Sequence, residues 1–85
     1  MAKVVIYSAV HCPFCMRAKD LLQRKNVYYS EISIDKDDQK RDEMIERSGR
    51  RTVPQIFIND QPIGGFDDLW ALEQKGELDQ LLELE

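Results

Sequence analysis

The stretch "VVIYSAVHCPFC", residues 4–15, decides how this chain folds. Its first part, Val4 to Ser8, is β-branched and aromatic and reads as a buried strand. Shortly after it, Cys12 and Cys15 flank Pro13 and Phe14. Proline is favoured at the first position of a helix, because its missing N–H would be unpaired there anyway and its φ is preset. A strand therefore feeds directly into a helix whose N-cap is Cys12. Met16, Ala18, Leu21 and Leu22 recur at helical spacing through about Lys25, and "KNV" closes that helix.

Outward from this unit the pattern continues without low-complexity stretches, repeats or long linkers. "YYSEISI", Tyr28 to Ile34, alternates as a second strand. Asp35, Asp37 and Asp38 mark the start of a second helix, which turns Met44 and Ile45 inward and stops at Gly49. "VPQIFIND" reads as a third strand ending in a turn at "NDQ", and "PIGG" as a short fourth strand entered through Pro62. "FDDLWALEQKG" makes a further helix ended by Gly76, and the leucine-rich tail adds a final helical turn or two. The order is β-α-β-α-β-β-α plus a C-terminal helix. Strands joined through a helix must pair in parallel with a right-handed crossover, and the last two strands are close enough for an antiparallel hairpin. An α/β domain results, a four-stranded mixed sheet flanked by helices on both faces, which matches the thioredoxin fold.

The totals bound what such a domain can do. Eighty-five residues form one domain, 1–85, with 42% hydrophobic and 33% charged residues, ordinary for a globular protein. A net charge of −4 argues against a broad nucleic-acid footprint. Glu77, Asp79, Glu83 and Glu85 read as a solvated helix face, because leucines interleave with them. No apolar run is long enough to span a bilayer. "MAKVVIYSAV" is broken by Tyr7 and Ser8 and lacks a cleavage site, so it reads as a strand and not a signal peptide. The expected setting is cytoplasmic, where disulfides tend to be transient and catalytic.

Three readings compete for the cysteines. A structural disulfide between positions this close constrains the unfolded chain little. Structural zinc usually takes four ligands, and the chain offers one cysteine pair plus His11, so no metal is expected. Redox catalysis remains, and a C-x-x-C beside a βαβ pattern is its signature. At the N-cap, the Cys12 sulfur faces the unpaired amides of the first turn. They and the helix dipole favour the thiolate, lowering its pKa below the free value of about 8.5. Cys15 lies on the same face just behind it. His11 is adjacent in sequence, but adjacency alone does not bring its ring to the sulfur.

"CPFC" at 12–15, "TVPQIFI" at 52–58 and "GGFDDL" at 64–69 together resemble the dithiol glutaredoxins, and within them the small bacterial glutaredoxins of the third type. The likeness spans essentially the whole chain. It implies a glutathione-dependent thiol–disulfide oxidoreductase with Cys12 as nucleophile and Cys15 as resolving thiol. Glutathione would be the co-substrate, with no tightly bound cofactor. The partners implied are disulfide-containing or glutathionylated proteins, ribonucleotide reductase among them, acting on a monomer with no nucleic acid and no membrane.

The same likeness implies a binding site. Val53, before a cis Pro54, would pair its backbone with the cysteine of glutathione, with Thr52 beside it. Gly65, Phe66 and Asp67 would take the γ-glutamyl end on free amides at a helix start. Pro13 and Phe14 would wall the sulfur, Phe14 standing where tyrosine is usual. Relatives often carry a lysine three residues before the first cysteine, where this chain has Ala9; Arg41 is the expected replacement for the glycine carboxylate, with Arg50 and Arg51 near enough to assist. Two other functions share the fold: a redoxin driven by thioredoxin reductase, and a glutathione-ligated iron–sulfur carrier. Pro13 and Cys15 argue against the second, and "GGFDD" with Phe14 against the first.

Overall fold

The computed structural model describes residues 2–84 and runs β1 (Val4–Ser8), α1 (Pro13–Arg24), β2 (Ser30–Ser33), α2 (Asp38–Ser48), β3 (Gln55–Ile58), β4 (Gln61–Gly64), α3 (Phe66–Gln74) and α4 (Leu78–Leu81). The sheet order is β2-β1-β3-β4. β1 pairs in parallel with β2 and antiparallel with β3, and β3 pairs antiparallel with β4. This is the mixed four-stranded thioredoxin fold that the element order implied.

β1 is buried along its whole length because both faces of the sheet are covered. Its alternate residues divide between two cores. Val4 and Ile6 join Ile56 and Ile58 against Ala18 and Leu22 of α1, Leu69 of α3, Leu78 of α4 and Leu82 just beyond it. Val5, Tyr7 and Phe57 face the other way, onto Ile34 and Met44. That second face also carries a polar clamp. The buried Tyr7 hydroxyl donates to the Glu43 carboxylate and accepts from Arg47 Nη1 at 2.7 Å, and the guanidinium sits 4.3 Å from the Phe57 ring centroid. Burial first, then the Glu43 hydrogen bond, pushes the Tyr7 hydroxyl above its usual pKa.

The boundaries follow local chemistry. Asp37 caps α2 by accepting from the Lys40 N–H at 3.2 Å, and Gly49 ends it at φ 74°. Asn59 and Asp60 turn the hairpin at φ 52° and 67°, as a two-residue turn between twisted strands requires.

Two expectations shift. β2 is shorter than Tyr28 to Ile34, and Tyr28 is 86% exposed, because parallel pairing with β1 reaches only Ser30 to Ser33. Met16 is 67% exposed: Cys15, Ala18 and Leu22 set the inward stripe of α1, and Met16 lies a quarter-turn off it. In the acidic tail, Glu77 and Asp79 are exposed while Leu78 and Leu82 are buried, and Glu85 lies outside the described residues.

Candidate active site

Cys12 is the N-cap of α1, at φ −114° and ψ 101°, with Pro13 opening the helix. Its half-buried sulfur accepts from the Cys15 N–H at 3.1 Å and lies 3.8 Å from the Val53 carbonyl oxygen. Cys15 is fully buried behind it, and the two sulfurs are bonded to each other. The pair therefore consists of one sulfur at the surface, facing a first-turn amide, and one withdrawn into the core. His11 is exposed at φ 58° and makes no hydrogen bond to that sulfur among the described residues.

The Val53–Pro54 peptide bond is cis. Pro54 is buried, Thr52 is exposed, and the Val53 N–H has no hydrogen-bond partner among the described residues. Gln55, 1% exposed, holds this loop in place by donating from Nε2 to the Thr52 carbonyl at 3.0 Å and to its hydroxyl at 3.3 Å. Sequence reading took Gln55 as an ordinary strand residue. A glutamine directly after a proline, at the head of an apolar strand, was the available signal.

Across the groove, Gly65 is the N-cap of α3. Asp68, in the third helical position, reaches back to accept from the Gly65 N–H at 2.9 Å, and it pairs with Arg50 Nη1 at 2.8 Å. The Arg50 hydrogen bond first, then the Gly65 amide, holds the Asp68 carboxyl below its usual 3.8. Glycine has no side chain to return the cap, so the amides of Phe66 and Asp67 stay unpaired among the described residues. The Asp67 side chain is exposed. Position in the first turn separates the two aspartates: Asp68 caps the helix, and the Asp67 carboxylate makes no hydrogen bond among the described residues.

Phe14, Thr52, Val53, Pro54, Gly65, Phe66 and Asp67 thus line one groove of about 200 Å3, with Arg50 and Asp68 completing its wall. Pro13 is exposed at the helix start beside it. Arg41 does not line it. It sits exposed in the first turn of α2, its N–H bonded to the Asp37 carbonyl, whereas Arg50 directly follows the Gly49 cap and enters the loop that carries Val53.

A second groove of about 530 Å3 opens along the other side of Cys12. Its floor is an ion pair, Lys19 to Glu31 at 2.8 Å, buttressed by the Ser8 hydroxyl donating to the same carboxylate at 2.6 Å. The Lys19 hydrogen bond, then that of Ser8, depresses the Glu31 carboxyl. Ala9 faces this groove. Among the described residues no group of three or more His, Cys, Asp or Glu could hold a metal ion, and no helix is long and apolar enough to cross a membrane.

A helix-capping sulfur with a second thiol behind it, next to a cis-proline loop of a thioredoxin fold, defines a class: the thiol–disulfide oxidoreductases. Comparison with known proteins narrows it. The glutaredoxin family model matches residues 4–63. Glutaredoxin 3 of Escherichia coli (strain K12) is 58% identical over 83 residues, covering 98% of this chain and 100% of that protein. A glutaredoxin of Pseudomonas aeruginosa is 51% identical over 82 residues, 96% of this chain and 98% of that one. Among solved structures, the solution structure of glutaredoxin from Brucella melitensis superposes with a TM-score of 0.85 at 52% identity, covering 96% of this chain and 89% of that chain. A buckwheat glutaredoxin–glutathione complex gives 0.89 at 29% identity, over 96% and 77%. The chain belongs to the glutaredoxin family, and its Cys12–Cys15 pair makes it a thiol–disulfide oxidoreductase.

Proposed function

We propose that this oxidoreductase draws its electrons from glutathione, which it binds in the groove between the Val53–Pro54 loop and the start of α3. One observation carries the reading. Next to the Cys12 sulfur the groove offers backbone amides that are unpaired among the described residues, that of Val53 on one wall and those of Phe66 and Asp67 on the other. A tripeptide with a free carboxylate at one end fits such a pair of walls. Its cysteine pairs with the Val53 backbone as an added strand residue would. Its γ-glutamyl carboxylate meets the α3 amides, where the helix dipole favours an anion. The exposed Asp67 carboxylate then faces the ligand's ammonium, and Phe14 and Phe66 wall the sulfur. The buckwheat relative solved with glutathione supports the same ligand here. For the glycine carboxylate, the groove lining favours Arg50 over Arg41.

The chemistry is two successive exchanges. Cys12 thiolate attacks the glutathione sulfur of a mixed disulfide; the Cys12–glutathione bond forms, the old S–S bond breaks, and the substrate leaves as thiolate and takes a proton. A second glutathione thiolate attacks the glutathione sulfur on Cys12, releasing glutathione disulfide and the Cys12 thiolate. For an intramolecular protein disulfide, Cys12 first bonds to one protein sulfur. Cys15, having lost its proton, then attacks the Cys12 sulfur and releases the dithiol protein, leaving the Cys12–Cys15 disulfide for two glutathiones to reduce. With this chemistry the couple falls near about −200 to −230 mV. The working setting is the cytosol, the protein acts as a monomer without a tightly bound cofactor, and its partners are glutathionylated or disulfide-bearing proteins, ribonucleotide reductase among them.

The test is turnover in a glutathione-coupled mixed-disulfide assay. Cys12→Ser abolishes it; Cys15→Ser keeps deglutathionylation and loses reduction of intramolecular protein disulfides. Rapid reduction by thioredoxin reductase with indifference to glutathione would replace this reading with that of a thioredoxin-reductase-driven redoxin.

A further inference from the structure

The turn that delivers Cys12 to the start of α1 has little to hold it. It runs from Ala9 to His11, between the end of β1 and the N-cap. Ala9 packs on the second core, but Val10 is 63% exposed and His11 is exposed as well. His11 also sits at φ 58°, in the left-handed region that a residue with a Cβ adopts only at a cost. Among the described residues, the turn makes one hydrogen bond to a distant part of the chain: the Val10 N–H donates to Asp35 Oδ2 at 2.7 Å. That oxygen is itself fixed. The Ser33 hydroxyl donates to it at 3.0 Å, and the Ile34 N–H donates to the Ser8 carbonyl at 2.9 Å, which keeps the ends of β1 and β2 in register beside it. Asp35 lines neither groove beside Cys12, so it has no place among the groups that touch a substrate.

We propose that Asp35 is a positioning residue for the thiol exchange. Its bond to Val10 holds His11 left-handed, and that chain direction sets Cys12 at φ −114° and ψ 101° with its sulfur on the Cys15 N–H. Without the bond, His11 returns to the backbone regions that L residues favour. Cys12 then leaves the cap, and its sulfur loses the amide and the helix end that favour the thiolate. A purely electrostatic role for Asp35 predicts the opposite sign. Removing a carboxylate near a thiolate eases ionisation and lowers the Cys12 pKa, whereas releasing the turn raises it. The charged groups around Cys12, His11, Lys19 and Glu31 on one side and Arg50, Asp67 and Asp68 on the other, are unchanged when Asp35 alone is replaced. The proposal rests on Cys12 being the attacking thiol, not on glutathione as its reductant.

The test is the rate of Cys12 carboxamidomethylation by iodoacetamide in the reduced full chain, followed against pH by mass spectrometry. Asp35→Ala should move the inflection up by about 0.5–1 pH unit and slow the reaction near neutrality about three- to tenfold, the bias against a left-handed residue that the bond no longer offsets. Asp35→Asn keeps an acceptor oxygen for the Val10 N–H and should recover at least half of that shift. Glycine adopts the left-handed region freely, so in a His11→Gly background the further change Asp35→Ala should move the inflection less than half as far. Cys15 should stay slow in every variant, since a fold loosened in general would expose it too. The tether is overturned by an Asp35→Ala inflection that stays or falls, by Asp35→Asn no better than alanine, by an equal shift in the glycine background, or by faster labelling of Cys15. A wild-type inflection at the free-thiol value of about 8.5 overturns the activated Cys12 as well. The expected shifts in a protein that proves indifferent to glutathione uphold the tether and defeat only the glutathione reading.

Discussion

Replacing Asp68 with alanine tests how the groove wall is held. The carboxylate makes two bonds, to the Gly65 N–H at 2.9 Å and to Arg50 at 2.8 Å. The first is a helix-capping contact, worth about 1 kcal/mol. The second joins side chains 43% and 53% exposed, so solvent screening limits it to about 0.2–1 kcal/mol. Asp68→Ala should therefore cost about 1–2 kcal/mol at neutral pH. For a domain of this size, 1 kcal/mol moves Tm by about 4–8 °C. Asp68→Asn keeps an acceptor for Gly65 and loses the charge, so it should cost about half as much. The pH dependence has a defined sign. The folded pKa of Asp68 is depressed, by Arg50 first, so the stabilisation is present above its ordinary 3.8 and disappears as pH falls through the folded value. Urea midpoints of wild type and Asp68→Asn should differ near neutrality and converge in strong acid. Midpoints that coincide near neutrality, or a gap that persists unchanged in strong acid, would refute the clamp.

Gly64→Ala should cost about 2–4 kcal/mol, since φ is +116° and the added methyl collides with the Asp68 carboxylate; Gly49→Ala, at φ +74° with open space around it, should cost only about 1–2 kcal/mol by the same denaturation assay. In glutathione kinetics, Arg50→Ala is expected to raise KM roughly fivefold, the equivalent of about 1 kcal/mol for a half-exposed ionic contact, with Arg41→Ala near wild type; the reverse ranking returns the glycine carboxylate to α2. Iodoacetamide alkylation of the reduced protein against pH should place the Cys12 inflection below the free-thiol value of about 8.5 and leave Cys15 slow at every pH. An inflection at the free value would remove the helix start as the source of reactivity.

Much of the molecule is legible in its sequence because the deciding interactions are local. Pro13 presets the first turn of α1, so a strand followed by C-P-F-C already places one sulfur at a helix start. Asp37 and Gly49 bracket α2 by contacts within a few residues. The alternation along β1 and β3 sets which side chains face each core. Tertiary structure alone settled the rest. Periodicity could not shorten β2, because its length depends on how far a strand distant in sequence runs alongside it. Nor could it separate Arg50 from Arg41, since a guanidinium enters the groove according to how α2 ends against the sheet and not by its neighbours in the chain. The ring contacts of Phe14, Phe66 and Trp70 join residues from α1 and α3, whose proximity comes only from packing across a shared core, and Asp68 meets Arg50 for the same reason.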